Sequence, residues 1–275
     1  MTYYCQMCKK SSFKKMYLDF QKHKKLFQIA KNPESKLSNA MKRKNACCRN
    51  CGLFQATKPF TEQEGELLYK NFGDFDIGEE FQSQYLSKDI DESLTSNWFK
   101  KRIDFYQKYF LNKPPKNVGM LRYFNGSLLK MFNDEFGSNL YGYEFIKSCK
   151  NTAKDRMKVN DIELEYCSYI KSLKIPQQLD VLIVFHFLTH SINIKNDILK
   201  MKSMVSNGGI IIFMDEIQQK PKNPAHMVHF TEETLTKFLI SNFGNLVRID
   251  GVGGNAKHIC DFTLKSDNPD FIVTV

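Results

Sequence analysis

The chain has no apolar run long enough to cross a membrane as a helix. Its longest such stretches, Val181–Leu188 and Gly208–Met214, fall far short of the roughly 20 residues a bilayer requires. Nor does the opening Met1-Thr-Tyr-Tyr-Cys-Gln-Met-Cys-Lys-Lys contain the apolar core of a secretory leader. The expectation is a soluble cytoplasmic protein without a membrane span. Acidic residues are nearly missing from the first 58 positions, where Asp19 and Glu34 face 14 Lys/Arg, a local charge of 14 − 2 = +12. The remaining 26 Lys/Arg and 28 acids leave −2, so the whole net charge of +10 comes from the first fifth of the chain. Such a segment either meets an anionic partner (nucleic acid, a nucleotide-linked substrate, an acidic surface) or solvates a small lysine-rich domain.

Apolar residues make up 42% and charged residues 25% of the 275, which excludes a mostly disordered chain. That length suits one medium domain with a small accessory one. Five of the eight cysteines lie in the basic segment, as Cys5-Gln-Met-Cys8, Cys47 and Cys48-Arg-Asn-Cys51-Gly52. Without an export signal, two C-x-x-C turns read as a metal site rather than as disulfides. A two-residue spacer lets both thiolates of a tight turn reach one tetrahedral zinc ion, at about 2.3 Å each. Cys5, Cys8, Cys48 and Cys51 are the expected ligands, with Gly52 supplying left-handed backbone. Cys47 is the spare thiol, or exchanges places with Cys48. A redox pair would need only one such motif, and no thioredoxin-like βαβ pattern surrounds either. Cys149, Cys167 and Cys260 read as small core residues.

Three segments follow: a basic zinc-binding domain over 1–60, a helical linker over 61–115, and a domain of alternating strands and helices over 116–275. In the linker, Phe99, Ile103, Tyr106 and Phe110 recur at helical spacing, and Pro114-Pro115 ends the pattern. Beyond it the text predicts strands over Val118–Leu121, Asn139–Phe145, Ile162–Cys167, Leu179–Phe185 and Ile210–Met214. Predicted helices cover Ser127–Phe136, Lys147–Met157, Ile194–Val205 and Thr231–Phe243. The Ile194 helix is expected to close at Asn207-Gly208-Gly209, and Thr231 to cap the last helix. Leu246–Ile249 and Ile259–Leu264 are expected to finish the sheet around the turn Gly251-Val-Gly-Gly254. Repeated β-α units imply an α/β fold, a mostly parallel Rossmann-like sheet with helices on both faces and ligands at the strands' carboxyl ends.

This order of elements resembles the class I S-adenosylmethionine-dependent methyltransferases. Leu179–Glu216 is similar to that family's fourth strand, following helix and fifth strand, with Asp180, His190 and Gly208-Gly209 in its typical places. Tyr141-Gly-Tyr-Glu144 matches the second strand, and Glu144, 18 residues beyond Gly126, takes the position whose acid accepts hydrogen bonds from the cofactor's ribose. The glycine series of the first loop is reduced here to Gly126 in Val118-Gly-Met-Leu-Arg122-Tyr123-Phe124-Asn125-Gly126. The resemblance implies a cofactor site of Arg122, Tyr123, Asn125, Gly126, Glu144 and Phe185, with Arg122 facing the cofactor carboxylate at the start of a helix.

Cys48-Arg-Asn-Cys51-Gly-Leu-Phe-Gln55 resembles the end of the zinc-binding domain in sugar-nucleotide C-methyltransferases. Ala225-His226-Met-Val-His-Phe230 is similar to their Tyr-His-Glu-His segment, and Gly253-Gly254-Asn255 to their Gly-Gly-Ser turn. Pro224 and Ala225 stand where those enzymes have histidine and glutamate, and no counterpart of their third domain follows residue 275. The implied function is methyl transfer from S-adenosylmethionine to a small anionic acceptor, such as a nucleotide-activated sugar of surface-glycan metabolism, with oxygen a more natural acceptor atom than carbon. His226 is the expected general base, titrating near neutrality, followed by His186 and His190. Two alternatives stay open: a nucleic-acid methyltransferase gripping phosphates through the basic zinc segment, and a binding protein that has lost the cofactor. Against the first, neither an Asn/Asp-Pro-Pro-aromatic nor a Pro-Cys sequence follows the fourth strand.

Overall fold

The structure is a computed structural model describing residues 4–16, 45–57, 61, 63–64, 100–107, 110, 113–123, 126–144, 162–166, 170, 173, 177–215, 217, 226–249 and 269–275, with backbone alone at 15–16 and 162–166. The expected helix over Lys147–Met157, the strand Ile259–Leu264, the turns Gly251–Gly254 and Gly253–Asn255, and Cys149, Cys167 and Cys260 lie outside the described residues. None of the described helices is long and apolar enough to cross a membrane.

In chain order the strands are β1 (Phe13–Met16), β2 (Asn45–Cys48), β3 (Phe54–Ala56), β4 (Asn117–Leu121), β5 (Asn139–Glu144), β6 (Ile162–Tyr166), β7 (Leu179–Phe185), β8 (Val205–Met214), β9 (Val228–His229), β10 (Val247–Ile249) and β11 (Asp270–Thr274). The helices that carry the argument are α1 (Ser127–Phe136), α2 (Ile194–Met204) and α3 (Glu232–Phe243), with a 3₁₀ turn at Leu188–His190. Seven strands form one sheet in the order β10-β11-β8-β7-β4-β5-β6. Its five neighbours from β8 to β6 run parallel, and β11 lies antiparallel to both β8 and β10.

Leu179–Phe185 is almost wholly apolar because β7 is hydrogen-bonded on both edges and covered on both faces. Val181, Ile183 and Phe185 join Val118, Met120, Ile212 and Met214 on one face, packed with Leu128, Leu129 and Phe132 of α1. Leu182 and Val184 join Ile211 and Phe213 on the other, with Ile198 and Met201 of α2 and Leu235 and Leu239 of α3. The period of two along each strand thus sorts the core into two layers. Asp180, at the start of β7, accepts hydrogen bonds from the Lys116 and Asn117 amides at 2.8 and 2.9 Å, so it sets the entry of β4.

Helical residues 100–107 lie on the α1 face. Tyr106 stacks on Phe132 with ring centres 6.0 Å apart, and Phe110 packs edge-on against Phe132 and Phe136. From the same segment, Arg102 makes a bidentate pair with Asp270 of β11, Nε to Oδ2 at 2.8 Å and Nη2 to Oδ1 at 3.0 Å. The Tyr106 hydroxyl donates to the same Oδ2 at 2.8 Å. Burial, then the charge of Asp270, keeps that phenol protonated well above its ordinary value.

The expected strand at Leu246–Ile249 is β10, and it borders β11, which lies between it and β8 although it follows both in the chain. One expectation needs correction: Asn207-Gly208-Gly209 do not form a loop closing α2. The helix stops at Met204, Val205 is already extended and paired with Leu179, and the ladder shifts register before Val181 meets Ile210.

A second, four-stranded sheet, β1-β2-β3-β9, joins the amino-terminal strands to β9 from beyond β8. Phe54 pairs with His229 and Gln55 with Val228.

Candidate metal centre and candidate active site

The two cysteine turns have the same backbone. Cys5 N–H donates to Lys10 O and Lys9 N–H to Cys5 O, at 2.9 and 3.1 Å; Cys48 N–H donates to Leu53 O and Gly52 N–H to Cys48 O, both at 2.9 Å. Each turn is followed by a left-handed residue, Lys9 with φ 60° and Gly52 with φ 78°. Glycine takes that conformation freely, whereas lysine does so at a cost. The ligand atoms of Cys5, Cys8, Cys48 and Cys51 all lie within 4.8 Å of one another. The Cys5–Cys51 and Cys8–Cys48 sulfurs are each 3.5 Å apart. A tetrahedron with Zn–S bonds of about 2.3 Å has edges of roughly 3.8 Å, so the four thiolates fit one zinc ion. Cys47 lies outside the cluster, with its Sγ 3.8 Å from Cys48 O and 3.7 Å from Gly52 O. Alternation along β2 turns it to the face opposite Cys48.

The second site lies where the parallel strands end. After β4, Arg122 turns left-handed at φ 61° and its N–H donates to Tyr143 O at 2.7 Å. Gly126, at φ 77°, closes the turn with its N–H on Tyr123 O at 2.8 Å and starts α1. The turn thus reaches the helix through Gly126 alone, the one glycine the sequence keeps of the family's series. Tyr123 is buried in the α1-side core, and Asn125 lies outside the described residues. Glu144, the last residue of β5, is fully buried. After β7, Phe185 packs its ring 4.7 Å from that of His186, which is itself left-handed at φ 47°. The Arg122 Nη1 donates to His186 O at 2.5 Å, tying the ends of β4 and β7 together. Two non-glycine residues with positive φ at one sheet edge are the kind of strain that collects at functional sites.

Around this edge stand four histidines. The rings of His190 and His226 are 4.6 Å apart and those of His226 and His229 5.4 Å. Burial holds His229 down to about 3, and burial followed by Arg122 and Arg102 does the same for His186. His190 lies well below its ordinary value through burial, then Arg122 and the neighbouring His186 and His229. His226 does too, through burial, then His190, His229, His186 and Arg122. The direction of these shifts runs against a titration of His226 near neutrality: burial favours its neutral imidazole, the form that accepts a proton. Among the described residues, only the cysteine cluster brings three or more metal-ligating atoms within 4.8 Å of one another.

These shifts fix the sign of a pH effect. The unfolded chain binds protons below about 6.5, the ordinary histidine value, while the folded cluster resists them to well below that. Stability is complete above 6.5 and falls as pH drops through that value towards about 3, where His186 and His229 protonate in the fold. Urea midpoints measured from pH 7.5 to 5.5, with metal content checked at each pH, should decline on the acid side. A flat profile would show that the cluster is solvated or already charged.

The structure thus gathers Arg122, Gly126, Glu144, Phe185, His186, His190 and His226 at the carboxyl ends of the parallel strands, and the four cysteines at a separate centre. Four residues at this edge escaped the sequence reading. His229 had a signal, its His-x-x-His spacing from His226. Asp215, whose Oδ2 accepts the Leu188 N–H at 2.7 Å, follows directly on the apolar run of β8. Asp270 and its partner Arg102 are 168 residues apart and had none.

No protein-family model matches the chain, and no curated protein matches it in sequence. Among solved structures it is similar to the N-methyltransferase NodS from Bradyrhizobium japonicum WM9 in complex with S-adenosylhomocysteine, with a TM-score of 0.53 and 15% identity over 72% of this chain and 98% of that one. It is also similar to the plantazolicin methyltransferase BpumL, solved with a desmethyl plantazolicin analog and S-adenosylhomocysteine (TM-score 0.51, 12% identity, 78% of this chain and 98% of that one). A third is the DhpI–S-adenosylhomocysteine complex (TM-score 0.50, 10% identity, 78% of this chain and 96% of that one). At these identities the likeness is one of architecture, and the large sheet has the Rossmann-like fold of the class I methyltransferases.

Proposed function

We propose that the chain is an S-adenosylmethionine-dependent methyltransferase acting on a small anionic acceptor of the nucleotide-activated sugar type, with a structural zinc ion on Cys5, Cys8, Cys48 and Cys51. The observation that carries the reading is the convergence at one sheet edge of the Arg122–Gly126 turn, a buried carboxylate at the end of β5, and the packed rings of His190, His226 and His229. The fold shared with proteins solved in complex with S-adenosylhomocysteine supports it.

The cofactor, when bound, supplies a methyl group on an electrophilic sulfonium. Glu144 is assigned to the ribose hydroxyls on the family resemblance and on its place at the end of β5, where a carboxylate can accept both hydrogen bonds of a diol. Arg122, with Gly126 and the amino end of α1, favours the cofactor carboxylate. His226, neutral and shielded, takes the acceptor's proton as its nucleophile forms, and His190 holds the ring of His226 from the side. The family resemblance and the basic first segment carry the choice of a nucleotide-linked acceptor.

Calorimetric titration with S-adenosylhomocysteine tests the site. Glu144→Gln should weaken binding about 10-fold or more, and equal affinities would overturn the ribose assignment. His226→Ala should bind as tightly as wild type while turnover, read as S-adenosylhomocysteine release with nucleotide sugars, drops about 10²-fold. Release with RNA and with no nucleotide sugar would overturn the acceptor class.

A further inference from the structure

The segment carrying His226 and His229 is buried, with Val228 and Phe230 in the core, and two neighbouring elements hold its backbone. Two residues make too short a strand to stand alone, and β9 has only β3 beside it among the described residues, apart from a single bridge from Phe230 to Ile217. The ladder to β3 extends one residue further, with Ala56 N–H on Met227 O at 2.8 Å. On its other side Met227 N–H reaches Thr189 O at 2.7 Å, in the turn that carries His190. The histidine segment is thus slung between β3 and the end of β7.

What places β3 is the cysteine centre. It begins three residues after Cys51, and Cys48 N–H closes on Leu53 O at 2.9 Å. The Gln55 side chain, almost fully buried, accepts from Gln6 N–H at 2.8 Å and donates to Tyr4 O at 3.1 Å, clamping the first cysteine turn to the strand. Gln6 in turn accepts the Ile194 N–H of α2 at 3.2 Å. The knuckle also touches the far end of the histidine segment: a Cβ on Gly52 would lie 3.2 Å from Thr234 Cγ2, in the capping box that starts α3.

We propose that the four-cysteine centre positions the histidine segment, with Gln55 as the positioning residue: a bound metal fixes the Cys48–Cys51 turn, the turn fixes β3, and β3 holds His226 beside His190. The catalytic meaning of that alignment rests on the methyltransferase reading; the alignment itself does not.

Amide hydrogen exchange tests it on the whole chain in three states: as isolated with its metal, stripped by a chelator under reducing conditions, and as Gln55→Ala with metal retained. Peptides over 227–230 should exchange about 10-fold faster in the second and third states, while those over β4 and β7 keep their protection. In Gln55→Ala the imidazole nitrogen resonances of His226 and His229 should move, with S-adenosylhomocysteine affinity unchanged. Unaltered protection over 227–230 after verified metal loss would overturn the proposal. Should stripping unfold the whole chain, Gln55→Ala decides: unchanged exchange and resonances, or a loss of protection spread evenly over the sheet, would equally overturn it. A chain that binds no S-adenosylhomocysteine in any state would sink the methyltransferase reading and leave the exchange result standing.

Discussion

Cys48→Ser is expected to lower bound zinc from about one equivalent per chain to near zero and to melt the small sheet, whereas Cys47→Ser keeps both. The adjacent thiols face different surroundings. Cys48 is within 4.8 Å of the three other ligand sulfurs, while Cys47 faces the carbonyls of Cys48 and Gly52. A serine hydroxyl does not ionise at neutral pH and leaves three thiolates around the ion. Burial pushes the Cys47 thiol up, as it does the Cys48 thiol, so position and not acidity separates the two. Structural zinc contributes about 10–16 kcal/mol in small finger domains, enough to decide whether a sheet of strands this short exists. Metal analysis and thermal melts of the two variants check the assignment; zinc retained by Cys48→Ser, or lost from Cys47→Ser, would contradict it.

Asp270→Ala should cost about 3–5 kcal/mol, since it strips the partner from a buried guanidinium. Arg102 and Asp270 are 2% and 1% exposed, so solvent cannot take over the lost bonds. The Tyr106 hydroxyl loses the same acceptor. Replacing the group together, as Arg102→Met, Tyr106→Phe and Asp270→Leu, should recover most of the loss, because apolar side chains carry no desolvation penalty. Urea denaturation of the single and triple variants measures both effects. A cost below about 1 kcal/mol for Asp270→Ala would mean that water enters the cluster.

Much of the large sheet was legible because its elements announce themselves locally. Leu179–Phe185 is a single apolar run, and Ser127–Phe136 lies between glycines that both turn left-handed in the structure. The four-cysteine cluster was legible for the same reason, since each turn is local and only their meeting is not. What could not be read depends on contacts remote in sequence. The Arg102–Asp270 pair, the place of β11, and the β3–β9 ladder that joins Phe54 to His229 leave no periodic mark on the chain. The titration of the histidines was equally hidden: His226 looks ordinary as a letter, and burial, followed by the neighbouring His190 and His229, pushes it down.

The place of β11 has a consequence for how the molecule is made. The strand that follows β10 in the chain lies inside it in the sheet, so among the described residues β8 gains its partner on that side, and β10 its only one, when residues 270–274 emerge. A nascent chain therefore carries an open, apolar edge at Ile210–Met214 from the completion of β8 until its last residues are made. Such an edge invites pairing with other chains, which makes chaperone demand and aggregation during expression sensitive to substitutions in the last strand more than in any earlier one.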